Sequence, residues 1–175
     1  MTQEGPGPVL LALDAGVRET GWAVFRNGVI QATGTIKLIS SRRIDAQVRV
    51  NHLVECLDDL VARWQPHEVA CCQPTGIGWR MPALDLLDAA LARWSARHRL
   101  CLYAYTAQEV RTAVAGHPNA SRGDLGYALM TRFGLNGQGK TTHEWEAIAV
   151  GGYHLSRWRS GAGGSSGTED GPSGN

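Results

Sequence analysis

This sequence predicts an α/β fold: a mixed five-stranded sheet with helices on both of its faces. Three observations predict it. The chain opens with three extended segments joined by tight turns, which makes them antiparallel neighbours. Two further short apolar runs, 69–73 and 100–105, each follow a helical segment, as parallel strands must. Helical periodicity then fills the remainder. The element order is β-β-β-α-β-α-β-α-α-α, with no internal repeat.

Taken in order, Val9 to Leu13 is an unbroken apolar run, as in a strand buried on both faces. Asp14 stands where it ends, before Ala15 and Gly16. Trp22 to Phe25 follows behind Thr20-Gly21 and is the second strand. Asn27-Gly28 is a hairpin signal, and Val29 to Leu38 alternates loosely as the third strand. Ser40 and Ser41 offer caps for a long helix to about Trp64, with Ile44, Val48, Val50, Leu53, Val54, Leu57, Leu60, Val61 and Trp64 recurring every three or four residues. Pro66 stops it. Val69 to Gln73 is the fourth strand, 74–82 a loop, and 83–94 a helix with Leu84, Leu87, Leu91 and Trp94 on one face. Leu100 to Tyr105 is the fifth strand. Thr106 and Glu109 form a capping box for a helix through Ala115. Ser121 starts another helix, 135–140 is a Gly-rich loop, and the last helix runs from about Thr142 to Arg157, its start favoured by a Thr141–Glu144 capping box.

The 175 residues suffice for one domain with a real core, expected over 9–159. The N-terminus, 1–8, is polar and Pro/Gly-rich and is expected to be flexible. Residues 160–175 are Gly/Ser-rich without apolar periodicity and are expected to be a disordered tail. The net charge is +1, far from the excess of a nonspecific nucleic-acid binder. No apolar run approaches a membrane span and no secretory leader is seen. Cys56, Cys71, Cys72 and Cys101 lack zinc-ligand spacing and read as reduced core residues of a cytoplasmic protein.

A charge at the end of a buried strand is paired, ligating or a turn cap, and residues alone leave Asp14 open among these. Four segments carry a resemblance. They are 11–22 around Asp14; Pro66-His-Glu-Val-Ala-Cys-Cys72-Gln73; Tyr105-Thr-Ala-Gln-Glu-Val-Arg-Thr-Ala-Val-Ala-Gly116 with 120–125; and His143-Glu-Trp-Glu146-Ala-Ile-Ala-Val. Together they resemble the RuvC family of Holliday junction resolvases, in the ribonuclease H-like superfold, over residues 9 to 158.

The resemblance implies a metal-dependent, structure-selective DNA endonuclease holding two divalent ions, Mg²⁺ or Mn²⁺. It places catalytic and metal-binding roles on Asp14, His143 and Glu146, the last two sharing a helix face. Hard ions take carboxylate oxygens, and paired ions activate water and stabilise the leaving oxygen. The family's fourth-strand Glu falls on Cys72, a soft thiol that makes the site degenerate; Glu68 lies just before that strand. Trp79 and Arg80 are candidates for base stacking and phosphate contact. Arg18, Arg111, Arg122 and Lys140 are candidates for phosphates near the catalytic edge.

The implied partner is branched DNA, bound by a homodimer or within a larger DNA-processing assembly. The helix 83–94 lacks the Gly-containing segment of the family's dimer interface. The alternative function is a nuclease-dead relative that binds branched nucleic acid. Asp14-Ala-Gly-x-x-x-Thr-Gly also resembles the phosphate-gripping hairpin of actin-like and sugar-kinase ATPases. Those need two such domains around the nucleotide, and this chain has room for one.

Overall fold

The computed structural model describes residues 7–38, 44–73 and 82–161, with side chains to 157. Its elements are β1 (Val9–Asp14), β2 (Glu19–Arg26), β3 (Val29–Lys37), α1 (Ala46–Trp64), β4 (Glu68–Gln73), α2 (Pro82–Arg97), β5 (Cys101–Thr106), α3 (Ala107–Ala115), α4 (Arg122–Phe133) and α5 (Thr142–Gly161). The five strands form one sheet in the order β3-β2-β1-β4-β5. The first three are antiparallel, while β4 lies parallel to β1 and β5 parallel to β4. At the hairpin, Asn27 and Gly28 both take positive φ, 52° and 79°, as a tight two-residue turn between twisted strands requires.

Side chains alternate across a strand, and here both faces are covered. Val9, Leu11 and Leu13 join Val69 and Cys71 beneath Leu53 and Leu57 of α1 and Leu87, Leu91 and Trp94 of α2. Leu10, Ala12, Ala70 and Cys72 face Val110 of α3, Leu125 and Leu129 of α4, and 147–150 of α5. This explains why β1 reads as a continuous apolar run rather than an alternating one.

The helices start and stop where local chemistry supplies partners. Thr106 with Glu109 and Ser121 with Asp124 form reciprocal capping boxes on α3 and α4. The start of α1 differs from the sequence reading. Asp45 is its cap, accepting from the Gln47 amide, so Ile44 precedes the helix; Ser40 and Ser41 lie outside the described residues. Val48, assigned to the buried stripe, is exposed, and the stripe is Val50, Leu53, Leu57 and Leu60. Helices α2 and α5 run three and four residues past the expected Trp94 and Arg157. Cys101 is exposed, against the expectation of a core thiol, because it opens the edge strand β5. All four cysteines are free. Residues 1–6, Trp79, Arg80 and the tail beyond 161 lie outside the described residues.

Candidate active site

Asp14 is the last residue of β1. It sits between Gly21 of β2 and Cys72 of β4 in the strand register. The chain reverses its direction of sheet growth at β1, between β2 on one side and β4 on the other. In open α/β sheets such a point leaves a crevice beyond the strand ends.

The N-terminus of α5 closes this crevice. Thr141 Oγ1 accepts from the Glu144 amide at 3.2 Å, and Glu144 Oε2 accepts from the Thr141 amide at 2.8 Å. The expected capping box is therefore formed. Glu144 Oε1 also accepts from Thr33 Oγ1 at 2.9 Å, and Thr35 meets Thr141 at 2.7 Å. These bonds seat the first turn of α5 on β3. Although burial pushes the Glu144 carboxyl up, the Thr141 and Thr33 bonds and nearby Lys140 outweigh it and hold the group below the usual range. Gly21 permits the close approach, since a Cβ there would land on the backbone carbonyl of His143.

His143 consequently reaches Asp14. Its Nδ1 lies 2.7 Å from Asp14 Oδ2, and its Nε2 3.6 Å from Glu19 Oε2. An ionised carboxylate only accepts, so the Nδ1–H donates. Glu146 follows on the same helix face and is 8% exposed. Its Oε1 accepts from an Arg111 Nη at 2.5 Å, across from α3. The Arg111 Nε is buried without a hydrogen-bond partner. Asp14, Cys72, Arg111, Arg122, His143 and Glu146 border a cleft of about 160 Å³.

Cys72 completes the picture from β4. Burial, then the charges of Asp14 and Glu146, push its thiol up to about 12, so it is neutral at the position that the resemblance aligned with a Glu. Glu68 does not compensate. It pairs with Leu10 at the opposite end of β4, about 13 Å from Cys72 at the ordinary strand rise. Its carboxylate instead faces Nε2 of the fully buried His154 at 3.3 Å.

The structure thus brings Asp14, His143, Glu146, Arg111, Arg122 and Cys72 to one cleft. Lys140, expected at the same edge, departs from it. Its ammonium donates to Thr33 Oγ1 at 2.9 Å and borders a separate groove along β3 with Arg132 and Phe133. The reason is that the loop before α5 runs over β3, not over the β1 end. Arg18 is exposed in the β1–β2 turn, and its carbonyl accepts from the Leu38 amide. Glu19, the first residue of β2 and beside His143, had no signal in the sequence. The service of Arg111 to Glu146, 35 residues apart, had none.

Asp14 and Glu146 are the carboxylates that border the cleft, and His143 adds an imidazole; Cys72 adds no charge. Among the described residues, no three His, Cys, Asp or Glu side chains stand close enough to ligate an ion as placed. Asp14 is engaged by His143 and Glu146 by Arg111.

The fold and this acidic edge define a class, the ribonuclease H-like α/β proteins with a carboxylate at the end of the central strand. Within it, the family profile described as crossover junction endodeoxyribonuclease RuvC matches residues 10–154, and the chain belongs to the RuvC family. Solved structures agree on the fold. RuvC of Thermus thermophilus is 20% identical with a TM-score of 0.72, covering 87% of this chain and 96% of that one. The T. thermophilus RuvC in complex with Holliday junction substrate gives 20% identity and a TM-score of 0.74, covering 88% and 96%. No curated protein sequence matches. Among the described residues no helix is long and apolar enough to cross a membrane.

Proposed function

We propose that this protein is a structure-selective endonuclease that hydrolyses phosphodiesters in branched DNA, with a divalent ion held at Asp14 and Glu146. The single observation that carries this is the convergence of Asp14, His143 and Glu146 on one cleft from segments 129 residues apart in sequence. A bound Mg²⁺ or Mn²⁺ supplies Lewis acidity to the phosphate and lowers the pKa of water. The chain's own residues do the rest. Asp14 and Glu146 offer hard oxygen donors, and Mn²⁺ suits the neighbouring imidazole better than Mg²⁺ does. His143, oriented through Nδ1 by Asp14, is placed to hold or pass a proton at Nε2. Arg122, at the cleft mouth, meets a backbone phosphate. A homodimer working in the cytoplasm, alone or in a larger DNA-processing assembly, belongs to the same proposal.

One observation favours a second reading, a nuclease-dead relative that binds branched DNA. Cys72 leaves the cleft a carboxylate short, and both remaining acids are engaged by basic side chains. A labelled four-way junction separates the two readings. Wild type with Mn²⁺ is expected to cleave, more weakly with Mg²⁺, and not at all with chelator. Asp14→Asn is expected to lose cleavage by at least about a hundredfold while retaining junction binding. Junction binding without cleavage in either ion would decide for the second reading.

A further inference from the structure

The basic group on Glu146 has a consequence beyond charge balance. Arg111 comes from α3, and Glu146 is the innermost acid of the cleft, with its side chain 11% exposed. The guanidinium therefore occupies an oxygen that a cation would need. It does so imperfectly. Its Nη donates to Oε1, while its Nε is buried with no partner, so one of its donors is left unused. The same side chain borders the open cleft, together with Arg122. A phosphate entering there offers more acceptors than one carboxylate oxygen, and guanidinium binds phosphate bidentately.

We propose that Arg111 is a gate between DNA and ion binding. In the free protein it neutralises Glu146 and holds off divalent cations. When a phosphodiester enters the cleft, Arg111 turns to it, and Glu146 is released to take the ion beside Asp14. DNA and ion then bind cooperatively, each strengthening the other by the same factor. Arg111 acts through Glu146 and is a positioning residue. His143 differs in this respect. It meets Asp14 through Nδ1, and its other ring nitrogen can itself ligate the ion, so its displacement is not required. The inference rests on the proposed use of Asp14 and Glu146 as ion ligands.

The test is a Mn²⁺ titration of the full chain by calorimetry, without DNA, on wild type, Arg111→Gln, Arg111→Lys and the double variant Arg111→Gln/Glu146→Gln. A thermal melt confirms that each folds. Arg111→Gln is expected to bind Mn²⁺ on the order of tenfold more tightly than wild type, within the usual range of coupling between sites. The double variant is expected to lose that gain, which shows that it runs through Glu146. Arg111→Lys retains a cation and stays close to wild type. Junction affinity, read by fluorescence anisotropy on a phosphorothioate-centred four-way junction at matched ionic strength, completes the cycle. Mn²⁺ is expected to strengthen it on the order of tenfold in wild type and much less in Arg111→Gln. Equal Mn²⁺ affinity in wild type and Arg111→Gln, or equal Mn²⁺ enhancement of junction binding, overturns the gate. Cleavage of an unmodified junction is scored separately: absent cleavage with an intact gate defeats the endonuclease reading alone, and cleavage without a gate defeats only this inference.

Discussion

Cys72 is the residue on which the proposed ion chemistry of this cleft turns. It faces Asp14 across the β1–β4 register, borders the cleft and is 9% exposed. A thiol that burial and two neighbouring carboxylates keep protonated supplies no charge to a hard ion. Cys72→Glu should supply it. The substitution places a third carboxylate near Asp14 and Glu146, so without metal it is expected to lower stability by about 1–3 kcal/mol, the cost of a crowded, unpaired buried charge. Mn²⁺ should return much of that loss as a rise in Tm, because ligands bound only by the folded state stabilise it. Mg²⁺-dependent junction cleavage should rise on the order of tenfold, equivalent to about 1.4 kcal/mol of barrier. Strong Mg²⁺ cleavage by wild type that falls in Cys72→Glu would contradict this account of the residue.

At the scale of elements, the decisive contact is α5 against β2. Two of the site's side chains, His143 and Glu146, ride on the first turns of α5, so the seating of that helix sets their distance from Asp14. The Thr33, Thr35, Thr141 and Glu144 bonds fix its start on β3. Gly21 lets its backbone come down on β2, and Gly151 does the same for Phe25 further along. Gly21→Ala puts a methyl where the His143 carbonyl already lies, so α5 must lift. The expected cost is about 1–3 kcal/mol of overpacking, with loss of cleavage at least as large as that of a His143 variant. A melt and a cleavage assay on the same sample check it; an unchanged Tm with full activity would show that α5 is not seated by this contact.

Across the whole molecule, the helix layer formed by α1 and α2 is joined by one polar cluster. Asp58 of α1 accepts from Trp94 Nε1 at 3.0 Å and from Arg97 at 2.7 and 2.8 Å, and lies 2.7 Å from His98 Nε2. Burial alone would push its carboxyl up, but the His98 and Arg97 bonds and the Arg97 charge outweigh it and hold it below the usual range. A depressed carboxyl contributes stability above its unfolded pKa, about 3.9, and loses it as the pH falls through the folded value. Asp58→Asn is therefore expected to cost about 1 kcal/mol near neutral pH, the modest figure reflecting an exposed side chain screened by water. The gap from wild type should close below about pH 4. Melting temperatures across that range decide it, and a gap that widens in acid would reverse the sign argued here.

How much of this was legible in the sequence follows from what local chemistry can encode. The strands were readable because alternate residues of β1 and β4 feed two opposite cores, which leaves unbroken apolar runs. The Asn27-Gly28 turn and the caps at Thr106, Ser121 and Thr141 were readable because a donor and its acceptor lie within a few residues of each other. The spacing of His143 and Glu146 already placed both on one helix face. The cap of α1 was misplaced because Ser40, Ser41 and Asp45 all carry capping side chains, and only the backbone conformation at Asp45 selects among them. What the tertiary structure alone decided is which groups meet. Strand register set Cys72 opposite Asp14 and left Glu68 at the far end of β4. The descent of α5 over Gly21 brought His143 to Asp14, and the packing of α3 on α5 brought Arg111 to Glu146. The path of one loop gave Lys140 to Thr33. Such pairings depend on register, close approach and loop course, quantities fixed by packing between distant segments and carried by no short stretch of chain.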